Sequence, residues 1–308
     1  MWLFIGPTAL AGIGQVTKRY SRLVADGEYV EFGQPSKHQN YDTGFAFVLP
    51  IAHQLDMVDQ YAKFCKKMIY MTICETETVN PAYGMLVERY SPLYVASEFC
   101  KKVFKEQFPQ GDWRILHLFA DAPPVPRINQ ITEPYIFYTI GNIADPRKNI
   151  NALLRAIQNF PDARLLLKAT CVQSVQINHP QVTVINGLLS DEQMENVHAK
   201  GHCYVNCSHS EGVGMGAVEA ALRSKPVIIT DYGGLKEYVK TPFTVKCALG
   251  PIGFDDFLFT KDLVWGHPSY EDLVRNMTAC YEQRLTRWDH SHTSGLLATV
   301  PGELLSIQ

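Results

Sequence analysis

The sequence predicts an α/β protein built from two βα domains. Short apolar runs alternate with segments of helical period along nearly the whole chain. The alternation breaks once, at residues 121–134, where four prolines in fourteen residues exclude a helix or a central strand. With 308 residues, 46% of them hydrophobic, the chain is long enough for a separate core on either side of that linker.

The elements follow in order. Residues 2–7 form a first strand, and Ala11-Gly12-Ile-Gly14 turns the chain into a helix over 14–25. Strands at 29–32, 45–50, 68–74, 93–96 and 114–118 come next, with helices at 55–64, 82–89 and 98–108 between them. After the linker the pattern restarts with a strand at 135–140, a helix at 150–159, strands at 164–168 and 182–185, and a helix at 191–199 capped by Ser190. A strand at 202–207, a helix over 213–223, strands at 225–230 and 243–246, and a helix over 270–284 complete the second domain. That last helix places Leu273, Val274, Met277 and Tyr281 on one face. Residues 285–308 are less regular, and no internal repeat is visible. The expected domains are 1–124 and 125–285, with a tail at 286–308; two βα domains imply a cleft between two sheets.

Composition excludes several function classes. A net charge of −3 gives no electrostatic footprint for nucleic acid, although Lys101-Lys102 and Arg147-Lys148 are local basic pairs. No apolar run reaches the ~20 residues of a transmembrane helix. The start of the chain contains Ala9-Leu-Ala11 but lacks a basic segment and is broken by Gly6-Pro7, so it reads as a strand rather than a secretory signal. Eight scattered cysteines, with no CxxC pair, suit reduced thiols in a cytoplasmic protein. No strongly basic amphipathic helix is present, although peripheral membrane contact stays open.

The densest signal is Glu211-Gly-Val-Gly-Met-Gly-Ala-Val-Glu219. It lies between two apolar strands, the plan of a ligand site at the carboxyl edge of a parallel sheet. The glycine turn offers bare backbone N–H groups at a helix start, which suits an anion such as a diphosphate. Glu211 lies before the helix, at its mouth, and Glu219 within it, two turns further on and roughly 12 Å along the axis at ~1.5 Å per residue. They then cannot share one proton or one metal, but can grip the two ends of an extended polar ligand.

Other groups carry weaker signals. Gly141 ends a strand, Asn149 can cap the following helix, and Arg147 and Lys148 sit just before that cap, where two cations can neutralise a diphosphate or simply face solvent. Gly12 and Gly14 allow close approach of a ligand, or merely a tight turn; Thr17 stands where a dinucleotide fingerprint needs its third glycine. His53 and Glu75 follow buried strands and can line a cleft, or lie in exposed loops. His198, His202, Cys203, Cys207 and His209 invite a zinc reading, but a helix end separates the histidines, and Cys203, Val205 and Cys207 alternate onto one strand face as core residues do. No D-x-D motif is present to seat a carboxylate-held Mg²⁺.

Together these residues resemble a known family. Glu211 to Glu219 is similar to the E-x7-E motif of retaining GT-B glycosyltransferases, the large family that includes sucrose synthases and lipopolysaccharide mannosyl- and glucosyltransferases. Residues 141–154 resemble its basic strand-to-helix start, Gly187-Leu188-Leu-Ser190 its nucleotide-side segment, and Lys225-Pro-Val-Ile-Ile-Thr through Glu237 its following strand and turn. Ala96-Ser-Glu-Phe-Cys-Lys-Lys-Val-Phe and the loop at Gly12 and Gly14 resemble first-domain motifs. The likeness is dense over 135–240 and looser over 1–120.

The resemblance implies an α/β fold of two Rossmann-like domains facing each other across a cleft (GT-B). It implies retaining, metal-independent transfer of a hexose from a UDP- or GDP-linked sugar to a glycan, glycolipid or other hydroxyl acceptor, with no cofactor. Glu219 would bind the ribose hydroxyls and Glu211 the donor sugar. Gly212, Val213, Gly214, Met215 and Gly216 would hold sugar and diphosphate by their backbone. Arg147 or Lys148 would stabilise the leaving diphosphate, beside Gly141 and Asn142. Gly12 and Gly14 would close over the phosphates, the backbone near Leu188 would read the base, and His53 or Glu75 would touch the donor sugar or the acceptor. Departures stand out: Asn142 replaces an arginine, the loop to Lys148 is one residue longer, Val213 replaces Phe, Gly216 replaces Pro, and Ala11 replaces Gly. They keep open a catalytically degenerate nucleotide-sugar-binding subunit; a nucleotide-sugar epimerase of the same fold is the nearest alternative chemistry.

Overall fold

A computed structural model describes residues 1–8, 12–121, 133–170 and 173–307. Ala11, Cys171 and most of the expected proline-rich linker, with the 124/125 boundary, lie outside the described residues. The chain divides into two compact units. Unit 1 takes Met1–Asp121, Pro251–Val264 and Leu297–Gln308, and unit 2 takes Ala122–Gly250 and Trp265–Leu296. Residues 251–264, expected within the second domain, therefore pack with the first.

Unit 1 contains β1 (Trp2–Gly6), α1 (Gly12–Ser21), β2 (Gly27–Glu31), β3 (Tyr41–Phe47), α2 (Ala52–Ala62), β4 (Cys65–Thr72), α3 (Gly84–Arg89), β5 (Leu93–Val95), α4 (Glu98–Gln107) and β6 (Trp113–Ile115). Its strands form a sheet in the order β2-β1-β3-β4-β5-β6, with every pair parallel. Parallel strands are covered on both faces, which is why β1 reads as a continuous apolar run rather than an alternating one: Leu3, Phe4 and Ile5 are fully buried. Ser97 caps α4 by accepting from the Cys100 N–H at 3.2 Å, and α4 buries Phe104 against Trp113, with ring centroids 4.6 Å apart. Each such ring contributes roughly 1.5–3 kcal/mol by burial.

Unit 2 contains β7 (Tyr135–Gly141), α5 (Ile150–Ala156), β8 (Ala163–Ala169), β9 (Val182–Ile185), α6 (Asp191–Lys200), β10 (Cys203–Asn206), α7 (Met215–Leu222), β11 (Val227–Thr230), α8 (Leu235–Tyr238), β12 (Thr244–Val245) and, later in the chain, α9 (Tyr270–Glu282). The sheet order is β12-β11-β10-β7-β8-β9, again all parallel. From β7 the chain winds outward through β8 and β9, then returns to the other side of β7 through β10, β11 and β12. The order therefore reverses between β7 and β10, and ligands of such sheets bind beyond the carboxyl ends of the strands at that point. Unit 1 reverses between β1 and β3 in the same way. A two-stranded ribbon, β13 (Cys247–Pro251) and β14 (Val264–Pro268), was not evident from the sequence.

The end of the chain is more regular than the sequence suggests. Helix α10 spans Ser291–Ser306. Pro301, Gly295 and Gly302 obscure its pattern, yet Thr293, Leu297, Val300 and Leu304 are buried at helical spacing. Within unit 1, the Glu303 carboxylate on α10 accepts the His117 backbone N–H at 3.1 Å and lies 3.1 Å from the His117 Nδ1. Lys67 Nζ donates to the Ile307 carbonyl at 2.9 Å.

Candidate active site

Two loops meet at the reversal point of the unit 2 sheet. The loop after β7 makes a single tight turn at Pro146–Lys148, and the loop after β10 carries Glu211. The His209 backbone N–H donates to the Arg147 carbonyl at 2.8 Å and ties the loops together. On its other side His209 stacks on Trp265, with ring centroids 4.8 Å apart, and its Nδ1 contacts the Gly266 carbonyl at 2.8 Å.

Glu211 lies at the centre, only 7% exposed. Lys148 Nζ donates to its Oε1 at 2.6 Å and Arg147 Nη1 to its Oε2 at 3.1 Å. The Ser208 hydroxyl and the Asn206 side-chain amide also donate to Oε1, at 2.8 and 3.1 Å. Burial alone would raise the Glu211 pKa, but the Lys148 and Arg147 cations and these hydrogen bonds outweigh it and lower the pKa to about 2. Glu211 is therefore a carboxylate at neutral pH and holds no proton to give.

The two cations differ. Arg147 also donates from Nη1 to the Ser210 carbonyl at 2.8 Å, and its Nη2 lies 3.2 Å from Asp145 Oδ2. Lys148 uses one of its three N–H donors on Glu211 and lies over Gly141, where an added Cβ would stand 3.4 Å from its Cε. Arg147 thus braces the Glu211 loop, and Lys148 keeps donor capacity. From the sequence the pair can neutralise a diphosphate or face solvent; the fold gives each cation a carboxylate partner.

Helix α7 begins at Met215, two residues later than expected. Gly214 precedes it with φ +72, a left-handed conformation that favours glycine. As expected, Glu211 lies before the helix and Glu219 within it, although only Met215–Glu219 of the interval between them is helical. A Cβ at Gly216 would lie 2.3 Å from the Tyr204 hydroxyl, which bonds the Ile140 carbonyl at 3.1 Å. Glycine at 216 thus lets α7 sit close against β10. Val213 and Gly212 are buried. Asn149 takes the expected N-cap position of α5 at φ 52 but makes no side-chain cap bond; its side chain instead donates to the Cys207 carbonyl at 3.2 Å. Asn142 and Leu188 are exposed, Leu188 at 71%. Buried Lys168 holds the adjoining Gly187 carbonyl at 2.7 Å.

Glu219 is 14% exposed, and its Oε2 lies 3.8 Å from His198 Nε2. His198 Nδ1 is 3.0 Å from the Tyr138 hydroxyl. Sequence reasoning missed Asn206, Ser208, Asp145 and Tyr138 as site neighbours. The signal available was the switch from apolar to polar residues at the end of β10; Tyr138 had none, because a tyrosine in an apolar strand reads as core. Cys203, Val205 and Cys207 pack in the apolar core as expected. Among the described residues no three His, Cys, Asp or Glu side chains are grouped to hold a metal ion.

In unit 1, Gly12 and Gly14 follow β1, His53 follows β3 and Glu75 follows β4. The three strands are adjacent and parallel, so these residues share one sheet edge. A Cβ at Gly14 would lie 2.1 Å from the Thr8 carbonyl oxygen, so this glycine serves the packing of α1 on its own loop. A Cβ at Gly12 would meet nothing within 4 Å. His53 is exposed in the first turn of α2, and Glu75 is half-buried.

Residues 125–245 match the family described as glycosyl transferases group 1. No curated protein matches the sequence significantly. Among solved structures, the chain is similar to a glycosyltransferase from Rickettsia africae ESF-5, with a TM-score of 0.61 at 11% identity, covering 100% of this chain and 99% of that one. It is similar to the pneumococcal O-GlcNAc transferase solved with UDP and GlcNAc, with a TM-score of 0.57 at 13% identity, covering 86% of this chain and 56% of that one. It is similar to sucrose-phosphate synthase from Thermosynechococcus elongatus, with a TM-score of 0.54 at 13% identity, covering 87% of this chain and 75% of that one. Among the described residues no helix is long and apolar enough to cross a membrane. Residues 125–245 are thus similar to the glycosyl transferases group 1 domain, and the chain has a GT-B fold of two Rossmann-like domains.

Proposed function

We propose that the protein transfers a hexose from a UDP- or GDP-linked sugar to a hydroxyl acceptor on a glycan or glycolipid, with retention of anomeric configuration and without a metal. The observation that carries this reading is the buried Glu211–Lys148–Arg147 cluster at the reversal point of the unit 2 sheet, next to the glycine turn that opens α7. The first-turn N–H groups of α7 and the spare donors of Lys148 are suited to a diphosphate. In the reaction the bond from the anomeric carbon to the diphosphate oxygen breaks, and a bond from the acceptor oxygen to that carbon forms on the same face. The acceptor proton passes to the departing phosphate oxygen. Lys148 stabilises the charge growing on that phosphate, so no metal is required for it. Arg147, Ser208 and Asn206 hold Glu211, and Glu211 holds Lys148. The backbone of residues 212–216 positions the sugar and diphosphate, and Glu219 accepts hydrogen bonds from the ribose hydroxyls. No disulfide joins the described cysteines, which supports the reading of a cytoplasmic setting.

The test is thermal shift with UDP, GDP, ADP and their hexose sugars, with Mg²⁺ and with EDTA, followed by turnover assays. A ligand at 100 times its Kd adds ~2.7 kcal/mol, which is readily visible. We expect one nucleotide to stabilise the protein equally in EDTA. Lys148→Met should then lower kcat roughly 10²–10³-fold, as loss of one charge-stabilising donor does. Binding that requires Mg²⁺ would overturn metal independence. Binding without turnover in the wild type, across a panel of acceptors, would make the protein a nucleotide-sugar-binding subunit instead.

A further inference from the structure

Behind Glu219 lies a buried polar chain that the reaction described above does not use. Tyr138 stands in the middle of β7 and is fully buried. Its ring is fixed by Gly201, where an added Cβ would lie 2.1 Å from the ring. Its hydroxyl is 3.0 Å from His198 Nδ1, and the two rings meet edge-on at 5.6 Å. His198 is 2% exposed, and its other nitrogen faces Glu219 at 3.8 Å.

The helices explain why the carboxylate of Glu219, rather than another, receives this imidazole. Glu195 and His198 are three residues apart on one face of α6, and Glu219 and Arg223 are four apart on α7 and its C-terminal cap. Arg223 pairs with Glu195 through two guanidinium contacts, one of them Nε to Oε2 at 2.9 Å. Arg223 Nη1 also donates to the Glu219 carbonyl at 2.7 Å. Glu195 is thereby occupied, which leaves His198 facing Glu219. A buried neutral imidazole has one N–H. The Tyr138 hydroxyl can donate to Nδ1, which puts that N–H on Nε2, aimed at the Glu219 carboxylate. At 3.8 Å the pair lies beyond a direct hydrogen bond, and a small rotation of the Glu219 side chain closes the gap.

We propose that His198, held in its Nε2–H form by Tyr138, is a positioning residue for Glu219 and thereby sets how strongly the site selects a nucleotide with an intact ribose. The inference rests on the reading of Glu219 as the ribose contact. A carboxylate fixed by a buried donor on one oxygen presents the other in a defined direction. One without that donor loses part of its discrimination, because a vicinal diol is recognised best by an oriented acceptor.

The experiment is isothermal titration of UDP, GDP and ADP and of their 2′-deoxy and 3′-deoxy counterparts into the full chain. The proteins compared are wild type, His198→Phe, His198→Gln, Tyr138→Phe and Glu219→Gln. We expect the wild type to prefer the ribose form of its nucleotide tenfold or more, and Glu219→Gln to bring that ratio close to one. His198→Phe should lower the ratio at least threefold while the affinity for the deoxy form stays within twofold. His198→Gln, which keeps a donor, should restore part of the ratio, and Tyr138→Phe should give an intermediate value. A wild-type ratio in His198→Phe, with a collapsed one in Glu219→Gln, overturns the inference and leaves the ribose reading standing. An unchanged ratio in Glu219→Gln overturns both, as does failure of every nucleotide to bind the wild type. A ligand-free check is the ¹⁵N spectrum of His198: a neutral Nε2–H imidazole is expected, and an Nδ1–H form overturns the proton order. Should His198→Phe fail to fold, Tyr138→Phe and this spectrum decide.

Discussion

Replacing Glu211 by Gln removes one negative charge from a buried site that contains two cations, and its effect can be worked out from the geometry. The carboxyl pKa is held at about 2, against an ordinary value of 4.5. At ~1.4 kcal/mol per tenfold, that corresponds to about 3 kcal/mol favouring the ionised over the protonated form. Glu211 is 7% exposed, so solvent screens little of this. The sign follows from linkage. A carboxylate whose folded pKa is depressed contributes its full stability above pH 4.5 and loses it as the pH falls from 4.5 toward 2. The Glu211→Gln variant lacks the contribution at every pH. The gap between wild type and variant should therefore be flat above about pH 5 and shrink to about 40% of that value by about pH 3. For a unit of this size 1 kcal/mol is roughly 2–4 °C, so the Tm difference at pH 7 should be roughly 6–12 °C. Calorimetry at pH 7, 5, 4 and 3, following the transition of unit 2, makes the measurement. A gap that does not shrink below pH 4.5 would refute the ion-pair reasoning and point to packing. No gap at pH 7 would show that Lys148 and Arg147 do not depend on this carboxylate.

Other outcomes follow from single contacts. Gly216→Ala should destabilise unit 2 by about 1–3 kcal/mol in urea denaturation, because the new methyl meets the Tyr204 hydroxyl at 2.3 Å; Tyr204→Phe should recover part of that loss, and no recovery would mean the clash is with backbone. His202 accepts the Ile136 N–H on Nδ1 at 2.8 Å, and burial followed by the Lys225 charge lowers its pKa to about 4. Its neutral form therefore supports the fold above pH 6.5, and that support is lost as the pH falls from 6.5 toward 4; a His202→Phe variant should show a shallower decline of Tm over that range. Glu303→Ala removes the acceptor of the His117 N–H and should cost about 1–2 kcal/mol, with faster hydrogen exchange confined to residues 117 and 297–307. Exchange spread evenly over unit 1 would argue against a local clamp.

Much of the fold was legible before the structure. Buried parallel strands must be apolar on both faces, so runs such as 135–140 and 227–230 announced themselves, and Ser190 capped α6 as its spacing implied. Tail helix α10 was obscured because Pro301 and Gly302 argue locally against a helix that tertiary burial of Leu297, Val300 and Leu304 sustains. The β13–β14 ribbon and the return of 251–264 to unit 1 depend on contacts remote in sequence, which no local pattern encodes.

The candidate site divides along the same line. The sequence by itself determined which residues are available: a glycine turn after a buried strand, a basic pair after another, and glutamates on either side of the turn. Those are local properties, set by backbone freedom and hydrophobic period. Only the tertiary structure decided who meets whom. Strand order brings β7 beside β10, and so places Arg147 and Lys148 on Glu211 across about sixty residues of chain. It uses Gly14 and Gly216 for packing, leaves Gly12 open, and puts Tyr138 and His198 behind Glu219. A charge has no partner until the sheet is assembled, because electrostatic pairing acts through space while propensity and periodicity act along the chain.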